Sequence, residues 1–139
     1  MIDEKKSLSA WHALPCRGPH AQLFVIGDVH GQAGALGVAL DTIGRVPGNG
    51  LPRRLTFLGD LIDRGPDSIG TVRMAMGAAD RARVDEVTLL PGNHELMLLD
   101  GLQDPQEYMV DWLSNGGDAL IKEADPNCAA RNLADLAEI

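Results

Sequence analysis

The sequence contains little cysteine and no long apolar run. Cys16 and Cys128 lie far apart and neither belongs to a CxxC pair, so no disulfide framework is expected. No stretch reaches the length of about 18 apolar residues that a transmembrane helix requires. The first twenty residues also lack the apolar segment of a signal peptide. These absences predict a cytoplasmic protein that does not enter a membrane.

Basic charge is also scarce, since twelve Lys and Arg stand against twenty Asp and Glu, giving a formal net charge of −8. The basic residues are scattered, which argues against a nucleic-acid surface because phosphate backbones are bound by clustered cations. The apolar share of 45% is ordinary for a globular protein. We expect an N-terminal tail over 1–22 and a single domain over 23–139, with the oligomeric state left open.

Three short apolar runs predict buried strands: Leu23–Ile26, Leu55–Leu58 and Glu86–Leu90. Helical spacing of Leu36, Leu40 and Ile43 predicts a helix over Ala33–Ile43. A second helix is predicted from about Pro66 to Ala79, with Ile69, Val72 and Met76 as its apolar stripe. The alternation predicts the α/β class, a βαβαβ parallel sheet with helical crossovers.

Three further helices are expected after the third strand. One opens at Glu95–Leu99, one spans Gln106–Leu113, and a short one covers Ala129–Ile139. Asn115–Gly117 is interpreted as the C-terminal cap of the second of these helices. Trp112, like its neighbours Met109 and Leu113, is interpreted as core packing.

Each predicted strand is followed by a polar motif, namely GDVHG (27–31), GDLIDRGP (59–66) or GNHE (92–95). Loops that leave the carboxyl ends of parallel strands gather at one sheet edge, so the three motifs are expected to form one site. Asp28 and His30, two residues apart, are expected to converge on one cation. Asp60 can bridge two cations, and Asn93 offers a neutral amide oxygen. Mixed oxygen and nitrogen ligands favour Mn, Fe or Zn.

The remaining motif residues fit phosphoryl chemistry. Two metals about 3.5–4 Å apart polarise a phosphoryl group and activate water. His94 is placed to protonate the leaving group, and Asp63 can hydrogen-bond its other ring nitrogen. Arg64 can grip two phosphoryl oxygens with its planar guanidinium. The combination predicts a metallophosphoesterase site.

The three motifs resemble the signature blocks of the phosphoprotein phosphatase family within the calcineurin-like metallophosphoesterases, over about residues 23 to 117. The resemblance implies that the chain forms the first half of a two-sheet sandwich. It also implies that Asp28, His30 and Asp60 bind one metal and that Asp60 and Asn93 bind the second. By the same resemblance Arg64, Asn93 and His94 contact the phosphoester, and Asp63 with His94 forms an acid dyad.

Within that family, GNHELMLLDGL followed by WLSNGGDAL is similar to the bacterial and phage serine/threonine phosphatases. The substrate is then a phosphorylated protein or a small phosphoester. The alternative is an enzyme resembling symmetric diadenosine tetraphosphate hydrolase. That group usually has Asn where Asp63 stands and GNHD in place of GNHE.

The family pattern includes two later histidines for the second metal and a further ligand for the first, yet no histidine follows His94. His12 and His20 are not expected to replace them. We therefore expect an incomplete second metal position and a truncated chain. Three hypotheses stay open: an enzyme, a metal- and phosphate-binding module without turnover, and a non-functional remnant with an exposed sheet face.

Overall fold

A parallel three-stranded sheet in the order β1-β2-β3 organises the protein. The computed structural model describes residues 21–126. Its strands are β1 (Gln22–Ile26), β2 (Arg53–Phe57) and β3 (Glu86–Leu89). Its helices are α1 (Ala33–Arg45), α2 (Ser68–Met76), α3 (Ala78–Ala82), α4 (Asn93–Gln103), α5 (Pro105–Trp112) and α6 (Asp118–Ala124), with a kinked turn at Leu113–Gly117 between the last two.

One face of the sheet forms the core. Phe24 pairs with Leu55 across β1 and β2, and Leu55 pairs with Val87 across β2 and β3, so their side chains share that face. The predicted stripe of α1, Leu36, Leu40 and Ile43, is buried in the same cluster. Helices α2 and α3 contribute the small side chains Ala75, Ala78 and Ala82 to this core. The predicted α/β class with parallel strands and helical crossovers is confirmed.

The side chains of β1, an edge strand, that point to the opposite face of the sheet are exposed. Leu23 is 60% exposed and Val25 is 51% exposed. Their partners in the register are Arg54 and Thr56 of β2. An exposed sheet face is what the remnant hypothesis predicts, and a cooperative unfolding transition is the measurement that would count against that hypothesis.

The single helix predicted over 66–79 is wrong in two respects. The helix is divided at Gly77 into α2 and α3, and Met76 is 70% exposed instead of facing the core. The buried residues of α2 include Ser68 and Thr71. Because the Thr71 hydroxyl donates to Asp67 O at 2.7 Å, this polar side chain is satisfied locally and can face inward.

The interpretation of Asn115–Gly117 as the end of a helix is confirmed, and the chain then enters a further helix, α6, that was not predicted. Gly116 leaves helical geometry at a φ of 105°, but Asp118 resumes it. The Asn115 amide donates to Asp111 O at 2.8 Å and closes the end of α5. The helix predicted over 129–139 lies outside the described residues. Within 21–126, every helix is too short or too polar to cross a bilayer.

Candidate metal and phosphate site

The first two motifs form one hydrogen-bonded layer beyond the carboxyl ends of β1 and β2. The backbone N–H groups of Val29 and His30 both donate to Asp60 O at 2.9 Å, and Gly31 N–H donates to Leu61 O at 2.8 Å. The motifs therefore fix each other's backbone, as the parallel topology predicts.

Glycine is required where the second and third motifs touch. A Cβ atom on Gly59 would lie 2.0 Å from Gly92 N, and Gly59 has a φ of 102°. Gly27 differs, because a Cβ atom there would meet nothing within 4 Å. The glycines at the second and third motifs thus allow the two loops to pack backbone against backbone.

Four non-glycine residues of the site occupy the left-handed region. The φ angles are 46° at His30, 52° at Asp60, 69° at Asp63 and 65° at Arg64. Each such residue costs about 1 kcal/mol or more, and such strain concentrates at functional sites. The conformation is maintained by the surrounding hydrogen bonds between loops.

Ligand-type atoms of His30, Asp60 and His94 lie within 4.8 Å of one another, so each motif contributes one donor. His30 Nδ1 lies 2.9 Å from Ile62 O, which accepts only if Nδ1 carries the hydrogen. That tautomer leaves the lone pair of His30 on Nε2. A backbone carbonyl that fixes the tautomer is a common second partner of a metal-binding histidine.

Asp63 and His94 form the contact that the sequence predicted. His94 Nδ1 lies 2.9 Å from Asp63 Oδ2, and the side chains are 1% and 0% exposed. The indole Nε1 of Trp112 donates to the same Oδ2 at 2.7 Å. Asp63 Oδ1 is buried without a hydrogen-bond partner in the described structure. Trp112 is buried as predicted, but it is also a hydrogen-bond donor to the proposed dyad, which sequence reasoning missed.

Arg64 lies beside the three donors. Its Nη1 is 3.0 Å from His30 Nε2, and its Nε donates to Asn115 O at 3.2 Å. The backbone N–H of Arg64 donates to Gly116 O at 3.0 Å. The kinked turn at Leu113–Gly117 therefore positions both the main chain and the side chain of the predicted phosphate-binding residue.

Sequence reasoning assigned no role to the Glu95 side chain. Glu95 Oε2 accepts the N–H groups of Asp60 at 2.8 Å and Gly92 at 2.7 Å. Glu95 Oε1 accepts the N–H groups of Leu61 at 2.7 Å and Ile62 at 3.4 Å. Its signal in the sequence was its position three residues after Gly92, the spacing of a helix capping box.

Glu123 of α6 was also missed. Its carboxylate accepts the backbone N–H groups of Ser68 at 2.6 Å and Ile69 at 3.0 Å, at the start of α2. Ser68 Oγ in turn accepts the backbone N–H of Asp63 at 3.0 Å. A carboxylate at a helix N-terminus is favoured by the helix dipole. Helix α6 thereby supports the loop that contains Asp63.

Of the other two predicted ligands, Asp28 does not join this group of histidine and carboxylate donors. Asp28 is exposed and lines a cavity of about 250 Å³ with Gln32 and Ala35. Asn93 is exposed at the first position of α4. Their roles as ligands stay predictions, and His12 and His20 lie outside the described residues.

A parallel sheet whose strand ends bring together histidine, carboxylate and arginine side chains is the architecture of a metallophosphoesterase. The sequence matches the calcineurin-like phosphoesterase family over residues 21–133, and the chain belongs to that family. The predicted resemblance is thus confirmed at the level of the family.

Individual relatives fall into two functional groups. The chain is 38% identical to serine/threonine-protein phosphatase 1 of Salmonella typhimurium over 69% of its own length and 39% of the relative's. It is 39% identical to the asymmetrical bis(5'-nucleosyl)-tetraphosphatase PrpE of Bacillus subtilis, over 50% of its own length and 30% of the relative's. The symmetrical bis(5'-nucleosyl)-tetraphosphatase of a Janthinobacterium species is 30% identical over 72% of this chain and 40% of that protein. The chain spans about two fifths or less of these relatives.

Proposed function

We propose that this chain contributes the phosphate-binding and proton-donating side of a metal-dependent phosphoesterase, acting on phosphomonoesters of serine or threonine. The observation that carries the proposal is the cluster of His30, Asp60 and His94 donor atoms within 4.8 Å, directly beside Arg64. No single motif would support this function, because isolated histidines and Asp–Arg pairs are usually structural.

The donor set fits a divalent transition metal. The His30 imidazole and the Asp60 carboxylate suit Mn, Fe or Zn, and Mn²⁺ is the first metal to test. The His94 imidazole lies beside them and is assigned to proton donation instead. His30 and Asp60 would hold the ion, with Asp28 and Asn93 as further proposed ligands. When bound, a metal pair supplies an activated water and neutralises phosphoryl charge.

The side chains of this chain supply the remaining parts. The Arg64 guanidinium is held through Nε, and its Nη1 lies 3.0 Å from His30 Nε2. With His30 Nε2 bound to a metal, both terminal nitrogens of Arg64 would be available for two phosphoryl oxygens. His94 contacts Asp63 through Nδ1, so its Nε2 is the nitrogen available to give a proton to the leaving oxygen. We therefore assign phosphate binding to Arg64 and acid catalysis to His94, supported by Asp63.

The buried Asp63–His94 pair favours phosphomonoesters over dinucleoside polyphosphates. A serine or threonine alkoxide is a poor leaving group and needs a proton as it departs. A nucleotide leaves as a phosphate anion that is already stabilised, so a general acid adds little. The tetraphosphatase activity named for two relatives is nevertheless the second candidate, because their identities of 39% and 30% are similar to that of the phosphatase.

The test uses the full-length gene product. We expect Mn²⁺-dependent release of phosphate from 4-nitrophenyl phosphate and from a phosphoserine peptide, both abolished by Asp60→Asn. A higher kcat/KM for diadenosine tetraphosphate than for the peptide would identify tetraphosphatase activity as the function instead. Absence of turnover with every substrate and metal would refute the enzymatic proposal.

A binding module is distinguished by stoichiometry. It predicts one metal per chain, a saturable phosphate-dependent spectral shift and no hydrolysis. Two tightly bound metals per chain, measured by elemental analysis after dialysis, would exclude that reading.

A further inference from the structure

A segment that follows the second motif by about fifty residues contacts two consecutive residues of that motif, Asp63 and Arg64. We call residues 112–117 the WLSNGG segment. The indole Nε1 of Trp112 donates to Asp63 Oδ2 at 2.7 Å. The Asn115 carbonyl accepts from Arg64 Nε at 3.2 Å, and the Gly116 carbonyl accepts from the backbone N–H of Arg64 at 3.0 Å. One segment thus contacts the proposed dyad through a side chain and the phosphate-binding arginine through its backbone.

The backbone of the WLSNGG segment packs closely against the side chains of Arg64 and Trp112. A Cβ atom on Gly116 would lie 2.7 Å from Arg64 Cγ, at a residue whose φ is 105°. A Cβ atom on Gly117 would lie 2.2 Å from Trp112 Cε2. The chain kinks at Gly116, which lies outside helical geometry, and the absence of a side chain at both glycines allows this close approach.

We propose that the WLSNGG segment is a positioning element with two separable effects: Trp112 orients Asp63 and through it His94, and the Asn115 and Gly116 carbonyls orient Arg64. The inference rests on the proposed phosphoesterase function. Trp112 is a positioning residue, since its contact is with Asp63 and not with the reacting atoms.

The effect on proton donation follows from the hydrogen bonds of Asp63. This carboxylate is fully buried, with two side-chain donors on Oδ2 and none on Oδ1. Without the indole donor, His94 is the single side chain that fixes the carboxylate, and the orientation of both relaxes. In the step concerned, the His94 Nε2–H bond breaks and an O–H bond forms on the leaving oxygen. That oxygen receives the electron pair of the breaking P–O bond, while a water oxygen forms the new P–O bond and its proton goes to solvent.

Trp112→Phe in the full-length protein tests this effect, because it keeps an aromatic ring and removes the donor. We expect kcat for a phosphoserine peptide, whose alkoxide needs a proton, to fall about tenfold or more, within the range that general acids contribute. With 4-nitrophenyl phosphate, whose leaving anion is stable, we expect a loss of about threefold or less. Equal losses with the two substrates would overturn the role of Trp112.

A double-mutant cycle separates positioning from general destabilisation. Asp63→Asn should produce the same leaving-group dependence, and adding Trp112→Phe to it should cost little more because the two residues act together. A full additional loss on the Asp63→Asn background would contradict the proposal. Ile43→Val, a core change at the end of α1 beside the first residue of β2, is the control and should affect both substrates equally.

The second effect has its own variant. Gly116→Ala should displace Arg64 and weaken competitive inhibition by inorganic phosphate about tenfold, while the ratio of kcat values between the two substrates stays as in the parent. If Gly116→Ala shifts that ratio as Trp112→Phe does, the two effects are not separable.

A spectroscopic measurement decides the contact without turnover. The indole proton signal of Trp112, identified by its loss in Trp112→Phe, should move upfield in Asp63→Asn and stay in place in Asp41→Asn. An unmoved signal would refute the contact itself. Absence of turnover in the parent with a moved signal would instead refute the proposed function and leave the structural element established.

Discussion

The carboxylate of Glu95 accepts the backbone N–H of Asp60 at 2.8 Å, so a side chain of the third motif holds the turn that presents a residue of the second. In the opposite direction, Asp60 Oδ1 accepts the backbone N–H of His94 at 2.9 Å. The two loops are therefore joined in both directions, at the place where the donor atoms converge. Glu95 therefore acts on the site by holding the backbone of the two loops, and not by contacting the reacting groups.

Glu95→Gln should lower the free energy of unfolding by about 2 kcal/mol. The amide keeps the shape of the side chain but turns one acceptor into a donor that faces backbone N–H groups, and hydrogen bonds to a charged acceptor are among the strong ones. Urea unfolding followed by circular dichroism measures the change. The matched control is Glu86→Gln, which removes an exposed pair with Arg54 and should cost well under 1 kcal/mol. Equal losses in the two variants would contradict the role given to Glu95.

Gly59→Ala should be far more destabilising than Gly50→Ala. Both glycines have positive φ, 102° and 81°, but a Cβ atom at Gly59 would lie 2.0 Å from a backbone nitrogen, whereas one at Gly50 meets nothing within 4 Å. Gly50→Ala isolates the conformational cost of about 1–2 kcal/mol, and the excess at Gly59 reports the contact between loops. Thermal unfolding of both variants gives the comparison, and similar losses would show that the loops can separate at no cost.

The Asp41–Arg81 pair predicts an acid-dependent contribution to stability. The bidentate hydrogen bond from the Arg81 guanidinium, which joins α3 to α1, holds the pKa of Asp41 below its ordinary value of 3.8. A carboxyl whose pKa is lowered by folding stabilises the fold above the unfolded pKa and loses that effect as the pH falls through the folded value. Asp41→Asn should therefore lower stability slightly at pH 7 and have less effect near pH 3. A difference between parent and variant that grows on acidification would refute this assignment.

The sequence predicted the fold well because its signals are local. Short apolar runs that end at glycine or proline gave the three strands within two residues at each end, and the spacing of Leu36, Leu40 and Ile43 gave α1 and its buried face. The convergence of the motifs followed from parallel topology alone. Met76 was misplaced because the inward face of α2 uses Ser68 and Thr71, whose hydroxyl groups find partners nearby.

The parts that sequence reasoning missed are contacts between distant segments. Trp112 has the pattern of a core residue, and nothing in its neighbours indicates that its nitrogen reaches Asp63, 49 positions earlier. Glu123 likewise has the appearance of a surface residue of a helix, although it caps α2. The chemistry of the motif residues, together with their position at the ends of strands, predicts which groups form the site. The identity of the groups that orient them depends on packing that no local pattern encodes.

Arg64→Lys should weaken phosphate binding by about tenfold or more, because a lysine ammonium cannot reproduce a planar fork that binds two oxygens. The change also removes the Nε hydrogen bond to Asn115 O that fixes the side chain's direction. Competitive inhibition by inorganic phosphate in the full-length protein measures the effect, with KM for a phosphomonoester as a second readout. Arg54→Lys, at an exposed arginine of β2, is the control and should leave both values unchanged. An inhibition constant that is the same in the Arg64→Lys variant and the parent would show that another cation binds the phosphoryl group.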